Sequence, residues 1–234
     1  TNSIANWRIV KRKLIVNWTP NNSNTIVDKT EEIWSVQYAN TPRYFVPTFS
    51  NLIAGIDSPT LTLEYSFRNG SVYEKVQSGN IINVGSYRCS VAIGDNDYYL
   101  LEDTLGVGYL EWKISRKSVR ANWSNLSLMY CATALRPTLS LTGVYGNSID
   151  TSSVSLIFYD SSNRPLSGDP IYVGVYGVQV NKEAFENINS NYQILDEDNA
   201  IVSWQITKRS VSFTSYKNNG ASMVYDGNAH YYFG

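Results

Sequence analysis

Between positions 60 and 67 the chain reads TLTLEYSF, and between 153 and 160 it reads SVSLIFYD. Both runs are rich in β-branched and aromatic residues, and apolar side chains alternate with polar ones, as in strands that bury one face. Turn-forming clusters separate such runs at short intervals: GDND at Gly94, NGS at Asn69 and SSNRP around Asn163. A helical period is suggested only by NKEAFENI from Asn181, which is short and flanked by Asn, so one or two turns are expected there. Short strands at regular spacing without intervening helices predict an all-β, antiparallel β-sandwich architecture.

The pattern also repeats at long range. WRIVKRKL opens at Trp7, WKISRKSV at Trp112 and WQITKRSV at Trp204, spaced 105 and 92 residues apart. Later landmarks keep their order behind each anchor. Asn17-Trp18 is matched by Asn122-Trp123, each Trp eleven residues past its anchor, and Pro47-Thr48-Phe49 by Pro137-Thr138-Leu139. LTLEYSFRNGS has a counterpart in SLIFYDSSNRPL, GSYRCSVAI in PIYVGVYGVQV, and NDYYLLEDTLGVGYLEW in SNYQILDEDNAIVSW. Ordered self-similarity at this period predicts an array of whole domains. The expected division is the end of a preceding repeat over 1–8, repeats over 9–113 and 114–205, and a truncated third copy over 206–234. The opening TNSIANW, without an initiator Met or signal peptide, is expected of the middle of a longer polypeptide. The copies differ in two extensions, PNNSNTIVDKTEEIW in the first and Asn181 to Asn191 in the second, as expected of loops at the ends of a sandwich.

These residues resemble the bacterial immunoglobulin-like repeats called MBG domains. The likeness rests on the joining run I-T-K-[KR]-x-[VL], on Y-D-G-x-A at Tyr225 to Ala229, on NVGSYRCSV and on NYQIL before the closing strand. The first two copies read YANTP at Tyr38 and YCATA at Tyr130 where the third reads YDG. The resemblance implies tandem immunoglobulin-like sandwiches of a large secreted or surface-attached protein, with no catalytic activity. The joining run would close one domain and pass directly into the next. With no Gly or Pro in it, a semi-rigid junction is expected.

Composition narrows the partners. Of 234 residues 43% are hydrophobic, enough for a packed core, and a net charge of −1 supplies no field for nucleic acid. No apolar run reaches the roughly 20 residues that span a bilayer, so no membrane insertion is expected. Eighteen tyrosines suit half-exposed β-structure.

Candidate chemistry is sparse. The one histidine, His230, falls in the truncated copy, so neither complete repeat holds the base that a Ser-His-Asp or Cys-His site needs. Cys89 and Cys131 occupy different places in their repeats and are expected to be inert, buried and unbonded to each other. The acidic turns holding Asp95, Asp97, Asp103, Asp196, Glu197 and Asp198 match no calcium loop and are expected as solvated turns. Lys75 and Lys182 are conceivable donors of an isopeptide cross-link. The sequons at Asn17, Asn21, Asn69, Asn122 and Asn125 are as many as chance provides in so Ser- and Thr-rich a chain. No catalytic, cofactor or metal site is assigned, and no cofactor.

The expected role is mechanical: a stalk, spacer or scaffold of an extracellular or cell-surface protein, whose partners are its neighbouring repeats. Two alternatives remain open, a building block of an ordered surface filament, sheath or layer in contact with other copies, and an adhesin module binding protein or carbohydrate. A hairpin between the last two strands would bring Asp196, Glu197 and Asp198 to Arg116 and Lys117, and Glu102 and Asp103 to Lys11, Arg12 and Lys13.

Overall fold

The computed structural model describes residues 7–53, 59–94, 98–102, 108–146 and 149–212. The chain is mostly β. The first half comprises β1 (Arg12–Pro20), β2 (Val27–Asp28), β3 (Trp34–Gln37), β4 (Phe45–Ser50), β5 (Leu61–Asn69), β6 (Val72–Lys75), β7 (Gly85–Ile93), β8 (Tyr99–Glu102) and β9 (Tyr109–Ser115). They form a sheet ordered β4-β1-β8 and a larger one ordered β2-β3-β9-β7-β5-β6. The second half comprises β10 (Lys117–Ser124), β11 (Ser127–Met129), β12 (Thr138–Thr142), β13 (Leu156–Tyr159), β14 (Gly174–Val180), α1 (Lys182–Ile188), β15 (Tyr192–Ile194) and β16 (Val202–Thr207). Its sheets are ordered β12-β10-β15 and β11-β16-β14-β13.

The pairing order is the same in both halves. The extension in the first half adds β2, paired to β3, and that in the second becomes α1, capped by Asn181 Oδ1, which accepts from the Ala184 amide at 3.1 Å. Two contacts per half depart from an antiparallel arrangement. β1 runs parallel to β8 and β3 to β9, and likewise β10 to β15 and β11 to β16. The last two strands of each half therefore do not form a hairpin; they run in different sheets. Hydrophobic alternation marks which face of a strand is buried but carries no information on which strand lies beside it.

Register identifies matching residues. Tyr87 lies opposite Trp112 and Tyr176 opposite Trp204, so Tyr176, not Tyr172, is the counterpart of Tyr87. Each of these tyrosines donates its hydroxyl four residues back, Tyr87 to the Asn83 carbonyl at 2.7 Å and Tyr176 to the Tyr172 carbonyl at 2.9 Å. Each ring also packs on its tryptophan, with centroids 5.8 and 5.5 Å apart. The hydroxyls of Tyr99 and Tyr192 match as well, accepting from the amides of Ile53 (3.4 Å) and Tyr145 (3.1 Å).

The closing strands carry the cores. Leu110, Trp112 and Ile114 of β9 are buried in alternation, and Trp204 and Ile206 of β16 likewise. The Trp112 indole donates to the Arg43 carbonyl at 3.2 Å, whereas the buried Trp204 indole N–H has no acceptor among the described residues. Asn199 substitutes for backbone at the start of the second closing strand: its side chain accepts from the Val180 amide (3.1 Å) and donates to the Val180 carbonyl (3.0 Å). β1 ends beside Phe45, whose ring packs against Trp112, and β3 ends where Tyr38 N donates to Ser115 O. β1 therefore begins at one pole, here the leading pole, and β9 ends at the other, the trailing pole.

Two substitutions test this bonding. Tyr176→Phe is expected to lower stability by about 1 kcal/mol through loss of one net hydrogen bond. Asn199→Ala is expected to cost roughly 1–3 kcal/mol, because it strands both polar groups of Val180. Chemical denaturation with an unchanged m-value checks both.

Candidate functional site at the junction of the sandwiches

β9 runs through Ser115 and β10 starts at Lys117, so a single residue, Arg116, lies between the closing strand of one sandwich and the first strand of the next. A lone covalent link would leave a swivel. Side chains from both sides fill the gap instead.

The trailing pole of the first sandwich contributes Tyr38, Asn83 and Val84. The leading pole of the second contributes Tyr145, Asn191 and Tyr192. Tyr38 packs edge-on against Tyr145 (5.9 Å between centroids) and Tyr192 (5.4 Å), and burial raises the pKa of its hydroxyl. Such edge-to-face pairs contribute about 0.5–1.5 kcal/mol beyond area burial. Asn191 adds hydrogen bonds. Its Oδ1 accepts from the Val84 amide at 2.8 Å, its Nδ2 donates to Asn83 Oδ1 at 2.9 Å, and its carbonyl accepts from the Lys117 amide at 3.0 Å. One buried apolar cluster runs through the junction, from Trp112 and Ile114 to Val119, Phe185 and Ile194.

The basic pair of the joining run is used differently from the sequence-based expectation. Arg116 Nη1 donates to Glu186 Oε2 of α1 at 2.7 Å, and Lys117 Nζ lies 4.9 Å from the centre of the Tyr145 ring. The acidic turn at Asp196–Asp198 lies further along β10. Asp198 binds Arg120 at 2.6 Å and Asp196 binds Lys182 at 2.6 Å. Without a hairpin the turn does not reach Arg116, and the second-half extension takes that place. Asp103 lies outside the described residues; the backbone of Glu102 pairs with Ile15.

The other candidates separate in space. Asp95, Asp97 and His230 lie outside the described residues. Among the described residues no three His, Cys, Asp or Glu side chains lie close enough to hold a metal, and no helix is long and apolar enough to cross a membrane. Lys75 is held by Glu64 at 2.6 Å and Lys182 by Asp196, each at the surface. A cleft of about 380 Å³ flanks the junction, bounded by Asn24, Thr25, Asp28 and Arg43 on one side and Tyr145 on the other. Cys89 is buried and its thiol is pushed up to about 12 by burial. Cys131 is exposed, contrary to expectation, and a hydrogen bond with Thr133 holds its thiol below the ordinary value. It follows β11 as the chain turns outward, where a strand pattern no longer predicts burial. Both thiols are free.

A polar cluster unforeseen in the sequence covers the outer face of the large first sheet. Arg88 binds Glu111 directly across β7 and β9, and its guanidinium lies 3.9 Å from the Tyr73 ring centre and 4.4 Å from that of Tyr109. Tyr73 also donates to Glu111 at 2.9 Å. Burial opposes the Glu111 charge, but the bonds from Arg88 and Tyr73 outweigh it and hold the carboxyl below its ordinary value. The two-residue alternation placed these side chains on one face; nothing in it marked them as partners.

No protein-family model matches the chain, and no curated protein matches it.

Two measurements follow from these environments. Alkylation of the native protein at pH 8, read by mass spectrometry, is expected to modify Cys131 and spare Cys89 until the chain is unfolded. For Glu111 the folded pKa is depressed, so its contribution is present above the unfolded value of 4.5 and is lost as pH falls through the folded one. Acid titration of stability should show a loss below about pH 4.5 that Glu111→Gln diminishes.

Proposed function

We propose that this chain is a structural segment of an extracellular or cell-surface protein, a stalk, spacer or scaffold made of tandem immunoglobulin-like sandwiches of the MBG type. The observation that carries the reading is the filled junction. Tyr38, Tyr145, Tyr192 and Asn191 turn a one-residue link into a side-chain interface between opposite poles of successive sandwiches. Fixing orientation between units is what an element that transmits force or sets a distance requires, and a flexible tether would do neither. The common pairing order supports the tandem reading. The tyrosines that hydrogen-bond four residues back, at the start of the strand facing the core tryptophan, support the immunoglobulin-like one. The working partners are then the neighbouring sandwiches of the same chain, and the segment performs no catalysis of its own.

Interdomain geometry tests this reading. Probes at Lys75 and Arg164, exposed residues of the two sandwiches, should give a narrow single-molecule distance distribution in the parent. Tyr38→Ala with Asn191→Ala should broaden it while leaving each sandwich folded. Because rings and amide hydrogen bonds hold the junction, raising salt to about 1 M, where screening is effective beyond roughly 3 Å, should leave the parent distribution unchanged. A broad distribution in the parent would contradict the proposal.

A further inference from the structure

Arg43, in the cleft beside the junction, occupies a backbone position that the second half fills with an apolar residue. Arg43 lies four residues before the partner of Trp18 across β1 and β4, and Leu135 four residues before the partner of Trp123 across β10 and β12. The Arg43 amide donates to Ile81 O at 2.8 Å and the Leu135 amide to Pro170 O at 2.9 Å. Each of these acceptors lies two residues before the carbonyl that takes the matching tyrosine hydroxyl, Asn83 or Tyr172. Leu135 packs on the core around Phe158 and Trp204. Equivalent backbone thus carries a leucine in one half and a guanidinium in the other.

That guanidinium is left without an acid. Nη1 donates to Thr25 Oγ1 at 2.5 Å, whereas the enclosed Nε and the outer Nη2 have no acceptor among the described residues. The other two half-buried arginines of the described residues, Arg88 and Arg116, each hold a glutamate. A half-buried charge without a counter-ion costs stability, and such a departure from the apolar pattern marks a functional site. The cleft of about 380 Å³ is at the small end of the range for ligand sites. Asn24, Thr25 and Asp28 in its wall come from the extension that only the first half carries, and loops of this kind gather binding residues.

The lining restricts the chemistry of the ligand. A guanidinium edge matches a carboxylate. Asp28 borders the same cleft, and bonds from the Thr30 amide (2.9 Å) and hydroxyl (2.7 Å) to its Oδ1 hold the carboxyl below its ordinary value. It therefore stays ionised, repels a second negative charge and leaves Oδ2 to accept from hydroxyls. The exposed carboxamides of Asn24 and Gln37 both donate and accept, and Tyr145 of the second sandwich adds an aromatic surface. We propose that this cleft binds a small hydroxylated monocarboxylate, an acidic sugar of the uronic acid class, with its carboxylate on Arg43 and its hydroxyls on Asp28, Asn24 and Gln37.

NMR titration of the isotope-labelled full chain with D-glucuronate, read at the Arg43 side chain and the Thr25 and Tyr145 amides, tests the proposal. Shifts there should saturate with a dissociation constant on the order of 1 mM, as expected for so small a ligand. Glucose, acetate and inorganic phosphate should each bind at least about tenfold more weakly. Arg43→Leu installs the residue the second half uses, so it should fold at least as stably as the parent and bind glucuronate at least about tenfold more weakly. Gln37→Ala, at an exposed position, should weaken binding a few-fold. The proposal is overturned by absence of saturable shifts in the parent at roughly tenfold above that constant. Equal binding of glucose, acetate or phosphate, or unchanged affinity in either variant, overturns it too. So does an Arg43→Leu chain less stable than the parent, since the guanidinium would then serve the fold. None of these outcomes bears on the stiff junction, which the interdomain distance distribution tests separately.

Discussion

The structure depends on one strand serving two neighbours. β9 is a central strand, paired in parallel with β3 and antiparallel with β7, and it buries Trp112 and Ile114 at the middle of the first core. One residue after it ends, the same chain becomes β10, which buries Val119 in the second sandwich. A strand anchored on both edges cannot shift register without turning its tryptophan out of the core. Its last residue is therefore fixed in space, and so is the start of the next strand. Everything at the junction builds on that fixed point: Tyr38 is positioned by its bond to Ser115, and Lys117 by its bond to Asn191.

The two halves share one strand-pairing order but differ in their reserves of bonding. The first satisfies its core indole with the Arg43 carbonyl and extends its large sheet to six strands with β2 and β6. The second leaves the Trp204 indole unpaired among the described residues, keeps four strands and adds α1. A buried unpaired donor costs roughly 1–3 kcal/mol. The insertion in α1 offsets part of this by placing Phe185 in the core and Glu186 against Arg116. The helix thus serves the second sandwich and the junction together.

Much of this was legible in the chain because strands reveal themselves by a local period. The alternation of TLTLEYSF, the recurrence of W-x-I and the absence of Gly or Pro at Arg116 depend on neighbours in sequence. What stayed hidden depends on partners far apart. That β8 and β15 join the opposite sheet is a pairing choice, and the side-chain period is blind to it. Arg116 finds Glu186 seventy positions away, Asn191 finds Val84 over a hundred positions away, and Arg88 finds Tyr73 only because β5 brings their strands together. The exposure of Cys131 escaped for the opposite reason, since it lies just past the end of a strand where no period operates. As for the candidate site, its aromatic members were visible only as a general abundance of tyrosine.

Whether the junction stays closed is reported directly by the Val84 amide. Its acceptor, Asn191 Oδ1, belongs to the other sandwich, while β7 begins one residue later within the first. Native-state hydrogen exchange at single-residue resolution compares the two. If the junction is closed, Val84 should be protected to an extent comparable with the amides of β7, and Asn191→Ala should abolish protection at Val84 alone. Exchange of Val84 at the rate of an unprotected amide in the parent, with β7 still protected, would show that the sandwiches separate freely and would contradict the account.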